Sequence, residues 1–105
     1  MKTISSIADT TPTAQVRPDW AQLTETSRLP DGTPTLLHST TTDGDAWMVT
    51  VEREDTINED GTITHGTPKV LVEYSGDGSD PAEIFAYAEA LRSAAHLLVD
   101  QRAAH

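Results

Sequence analysis

Between Thr35 and Tyr74 apolar and polar residues alternate with the period of two that a strand requires, and after Ser79 the spacing changes to the three and four of a helix. The clearest alternation is Asp45 to Ile57. There Trp47, Val49 and Val51 point one way and Thr50, Glu52 and Glu54 the other, which predicts a sheet wet on one face. Thr35 to Thr42 is the strand before it, closed by Asp43-Gly44, a dipeptide suited to a tight hairpin with positive φ. After the turn Asn58-Glu59-Asp60-Gly61, Thr62 to Thr64 begins a return strand and His65-Gly66-Thr67-Pro68 bulges it. Lys69 to Ser75 completes that strand, with Val70, Val72 and Tyr74 toward the core.

The helix announces its start. Asp80 serves as cap, Pro81 fits the first helical position and Glu83 reaches back three residues, a capping signature. Ile84, Tyr87, Ala88, Leu91, Ala95, Leu98 and Val99 then form one face, the expected core side. Ala86, Ala90 and Leu97 widen the apolar arc on one flank, and small residues there admit the close approach of another backbone. Either a partner or second copy packs on that flank, or the segment with Trp20 and Leu23 covers it. The predicted fold is α+β, a three-stranded antiparallel meander with one C-terminal helix packed on one face, β-β-β-α. Residues 1–16, rich in Thr, Ser and Ala without periodicity, read as a disordered or loosely docked arm, and 17–105 as a single small domain. Arg17 to Pro30 reads as a short turn or helical piece lying over the core.

Composition narrows the function classes. A folded part of roughly 75 residues buries only about 60% of its unfolded surface, so its stability margin is thin. The net charge of −10, with no basic cluster against it, argues against direct nucleic-acid binding. No segment approaches the roughly 20 apolar residues of a membrane span, and no apolar run follows Lys2, so the expectation is a cytoplasmic protein without a signal peptide or membrane contact. There is no cysteine, hence no disulfide, thiolate metal site or cysteine nucleophile.

Seven acids stand between Asp43 and Asp60 against the single Arg53. On a projecting hairpin Glu52, Glu54, Asp55, Glu59 and Asp60 would form an acidic contact arm able to meet a basic surface, although charge runs also serve plain solubility. On the sheet face away from the helix, Met48 and Leu71, joined by Leu36 or Leu37 according to register, extend a candidate partner interface that also includes Ala86, Ala90 and Leu97. Asp77-Gly78-Ser79-Asp80-Pro81 lacks the ligand alternation of a calcium loop and reads as turn chemistry. His38, His65, His96 and His105 have no metal-ligand spacing, and Ser39 beside His38 points to the opposite strand face, so neither a metal or cofactor site nor a catalytic set emerges.

Arg17-Pro18-Asp19-Trp20-Ala21 resembles the opening Cys-Pro-x-Trp-Cys of a group of small proteins from actinobacteria, their phages and plasmids. Pro18 and Trp20 match that opening, His38 matches a histidine-bearing strand, and Pro81-Ala82-Glu83 with the following alanines looks like the group's closing helix. Arg17 and Ala21 occupy both cysteine positions, so the resemblance implies a member without the group's metal ligands, in which Trp20 is held by packing. The group carries no established activity. The function expected from the chain is therefore a non-enzymatic, acidic protein-binding or regulatory module acting as a homodimer or on a protein partner. The alternatives are an acidic mimic that occupies a DNA- or RNA-binding protein, and a small ligand-binding domain or enzyme.

Overall fold

The computed structural model describes residues 17–103, so the expected arm at 1–16 and His105 lie outside the described residues. Among the described residues five strands precede one helix: β1 (Leu23–Arg28), β2 (Pro34–Asp43), β3 (Trp47–Ile57), β4 (Ile63–Thr64), β5 (Lys69–Tyr74) and α1 (Pro81–Ala103). The fold is α+β, an antiparallel sheet with a C-terminal helix, and the sheet has more strands than the three expected. β1, β2 and β3 are neighbours in that order, while β4 and β5 lie end to end along the other edge of β3. These two are the expected return strand in two pieces, broken at His65 to Pro68. Gly66 is required there, because a Cβ on it would run into the carbonyl oxygen of Glu54.

β1 replaces the expected turn or helical piece. It pairs with β2 from Leu23 opposite Ser39 to Arg28 opposite Pro34. Five of its six residues are exposed, so as an outer strand it shows no apolar alternation to read. The connection to β2 is built by Asp31, whose Oδ1 accepts from the Thr33 N–H at 2.9 Å, with Gly32 at φ 91°. The β2–β3 turn departs from expectation too, since Gly44 has no positive φ. Its glycine is needed for room, as a Cβ would overlap the Trp47 indole.

Alternation along β3 puts Trp47, Val49 and Val51 under the helix, where they form the core with Ala90 and Ala94. Val70, Tyr74, Tyr87, Leu91, Leu97, Leu98 and Trp20 pack against this cluster. Asp80 caps α1 as expected, its Oδ1 accepting from the Ala82 N–H at 3.0 Å, but Glu83 does not reach back to complete the capping pair and its Oε1 is buried without a partner. The helix runs along β3. Near its start Tyr87 meets the rings of Trp47 and Tyr74, and near its end Gln101 bonds Arg53.

The buried stripe is Tyr87, Ala90, Leu91, Ala94, Leu97, Leu98 and Gln101, rotated from the expected face toward the supposed flank. Ala90 is thus a core residue and Leu97 packs on the core, leaving Ala86 alone of the three on the surface. Ile84, Ala88, Ala95 and Val99, expected inside, are outside. In this rotation Ala90 and Ala94 lie against the core of the sheet and Gln101 reaches Arg53.

Candidate functional site

Past Val51 the same alternation continues beneath the end of α1, but with charge. Arg53 and Asp55, two apart on β3, share the helix-facing side, and the register places His38 of β2 directly opposite Arg53. All three are buried. Arg53 grips Asp55 with both arms of its guanidinium, Nε to Oδ1 and Nη2 to Oδ2, each at 2.8 Å. Oδ2 also meets His38 Nε2 and His65 Nδ1 at 3.1 Å, and Oδ1 accepts from the Gly66 N–H at 3.1 Å. The kink that breaks the return strand is therefore what delivers His65 and Gly66 to Asp55.

Burial pushes the Asp55 carboxyl up, yet the bonds from Arg53, Gly66 and His65 outweigh it and hold Asp55 below its ordinary value. Burial lowers His38, against the pull of Asp55. An ionised Asp55 assigns the proton of neutral His38 to Nε2, leaving Nδ1 to accept from the Thr24 hydroxyl at 2.8 Å. Hydroxyl, imidazole and carboxylate stand in the order of a nucleophile, base and orienting acid. Asp55, however, is saturated by five donors and neutralised by Arg53, and neither Thr24 nor His38 lines the neighbouring cleft. Such a network fixes β2, β3 and the kink in register.

That cleft, of about 340 Å³, is lined by Pro18, Trp20, Arg53, His65, Leu97, Asp100 and Gln101. The Trp20 ring lies 5.9 Å from the Arg53 guanidinium carbon, a cation–π contact. Arg53 Nη1 donates to Gln101 Oε1 at 3.1 Å, which orients the amide and leaves Gln101 Nε2 buried without a partner. Among the described residues, no group of three or more His, Cys, Asp or Glu side chains is placed to hold a metal ion.

The acids do not share one arm. Asp55 is interior, Glu52 is half-buried and faces Lys69 at 3.5 Å, and Glu54 accepts from Thr35 on the outer face. Glu59 and Asp60 are exposed in the β3–β4 turn. Asp60 is committed to the Thr62 hydroxyl and N–H, which lower its pKa. Of the candidate interface, Met48 is half-buried, while Leu71 is exposed on β5. The register sets Leu71 opposite Thr50 on the outer face and Val72 opposite Val49 on the helix face, both at the sheet edge.

Sequence reasoning placed the helical part of the candidate interface at Ala86, Ala90 and Leu97, and the exposed apolar arc of α1 lies elsewhere. At about 100° per residue, Ile84, Ala88, Ala95 and Val99 share one side of α1 and Phe85 adjoins them. Leu97 and Asp100, which line the Trp20 cleft, lie on the opposite side of α1, so the Ile84–Val99 side flanks β5. No family model, curated protein or solved structure matches the chain.

Proposed function

We propose that the protein is a non-enzymatic protein-binding module that docks through the apolar surface wrapped around β5 and the adjoining side of α1. One observation carries this reading. Six large apolar side chains are exposed among the described residues, and five of them, Leu71, Val72, Ile84, Phe85 and Val99, lie on β5 and α1. Phe85 is 76% and Val99 61% exposed, on a chain whose charge of −10 would otherwise favour a wet surface. Fully burying such a side chain from water returns on the order of 1.5–3 kcal/mol, and covering the exposed part of these five together reaches the scale a protein contact needs.

A photo-crosslinking phenylalanine analogue placed at 85 tests the reading. Irradiation should give one discrete protein adduct, lost when Val99→Glu and Val72→Asp are added. The absence of a discrete adduct, or an adduct indifferent to those changes, would remove it. A small-ligand site is the second reading, favoured by the unpartnered Gln101 nitrogen at the Trp20 cleft. A planar carboxylate or amide seated there would shift the Trp20 indole N–H resonance, and a panel of such compounds that shifts nothing would dismiss it.

A further inference from the structure

We infer that the occupant of this surface is a second copy of the chain, added edge to edge along β5 so that two sheets become one across a twofold axis at Leu71. The inference rests on the protein-binding reading and specifies its partner. β5 pairs with β3 and with no other strand among the described residues, so one side of its backbone is open to a further strand.

The sequence of β5 is complementary to itself. In an antiparallel pair, residues that face one another share a sheet face, so a twofold must pass through a residue position. Centred on Leu71, the pairing sets Leu71 against the partner's Leu71 and Lys69 against the partner's Glu73 on the outer face, with Val70 against the partner's Val72 on the helix face. Two opposite-charge pairs and two valine pairs result, each a favourable cross-strand combination. Centring on Val70 instead faces Lys69 with Leu71, and centring on Val72 faces Leu71 with Glu73, so one register alone matches both charge and apolar character. The exposed edge at β1, Leu-Thr-Glu-Thr-Ser-Arg, carries a single apolar residue and has no such self-match.

The helices fit the same axis. Strands lie about 4.8 Å apart, so helices seated between β3 and β5 or over β3 stand about 10–14 Å from their twofold mates, near the roughly 8–10 Å of packed helices. The sides that then face each other carry Ile84, Ala88, Ala95 and Val99. One contact thereby covers Leu71 and Val72 through the strands and Ile84 and Val99 through the helices.

Leu71→Cys provides the test, since the chain has no cysteine of its own. Facing residues in an antiparallel pair stand about 4.5–5.5 Å apart between Cα atoms, within the reach of a disulfide. With oxidised glutathione as oxidant, the Leu71→Cys protein should convert to a linked dimer, while Thr26→Cys at the β1 edge should not. Sedimentation of the full chain should show a dimer that Lys69→Glu or Glu73→Lys weakens about tenfold and that the two together restore, because reversing a cross-strand pair acts twice in a symmetric dimer. Monomer at several hundred micromolar overturns the inference. So does a dimer that Leu71→Cys fails to link or that the charge exchange fails to restore. In either case a discrete adduct of the chain with another polypeptide from position 85 leaves the protein-binding reading standing, whereas no adduct removes both.

Discussion

Replacing Asp55 with alanine removes the acceptor on which five donors converge, and the structure sets the size of the effect. Arg53 would keep its charge while buried with no carboxylate, its remaining bond being to Gln101. His38 Nε2 and the Gly66 N–H would lose their acceptor as well. Breaking a buried ion pair from one side costs about 3–5 kcal/mol, against a total stability of roughly 5–15 kcal/mol for a small domain. Each kcal/mol corresponds to about 4–8 °C in Tm at this size, so the loss is about 12–40 °C. Removing Arg53 as well, in Arg53→Leu/Asp55→Leu, should recover much of it, since an apolar replacement leaves no orphaned charge. Because Asp55 is held below its ordinary value, its contribution is full above the unfolded carboxylate range near pH 3.9 and disappears as pH falls through the lower folded value. Urea unfolding of wild type, Asp55→Ala and the double variant, followed by circular dichroism from pH 3 to 8, measures all three quantities. An Asp55→Ala protein within 1 kcal/mol of wild type at pH 7, or a double variant as unstable as the single, would refute the reasoning.

Three further outcomes follow from the same contacts. His38 is depressed by burial, so wild-type stability should be level above about pH 6.5 and fall below it, as the unfolded chain takes up a proton that the folded chain resists. In His38→Gln the decline should begin only in the carboxylate range, as read by urea midpoints against pH. Ala90→Glu should unfold the protein in a thermal melt, because Ala90 belongs to the core, whereas Phe85→Glu should leave Tm within a few degrees. Self-association should tighten as salt is raised from 50 to 500 mM, since screening relieves repulsion between two chains of charge −10, and light scattering would detect a contrary trend.

Period and punctuation made most of the fold legible. The limits of β2, β3 and β5 and the start of α1 lie within two residues of those read from alternation, turn dipeptides and the Asp80 cap. β1 was not legible, because an exposed outer strand of Thr, Ser and Glu carries no apolar stripe. The ionic cluster was half legible. Parity along β3 puts Arg53 and Asp55 on the same side as Val51, yet charge on a strand is ordinarily read as solvated, and only register brings His38 opposite them. The exposed apolar surface was legible at Leu71 and obscured on α1. A helix apolar over most of its circumference does not state which arc faces the sheet, and the observed arc is the one that sets Ala90 and Ala94 on the core and brings Gln101 to Arg53. The self-match of β5 was present in Lys69-Val70-Leu71-Val72-Glu73 from the start, but it acquires meaning only once β5 is known to be an edge.

Amide hydrogen exchange as a function of protein concentration tests most directly whether the β5 edge is where the molecule meets its partner. The amides of 69–74 that point away from β3 should exchange quickly in dilute protein and become protected as concentration rises, in step with the dimer fraction, while those of the β1 edge, 23–28, stay unchanged. Exchange along β5 that is independent of concentration while the protein dimerises, or protection that appears at β1 instead, would contradict it.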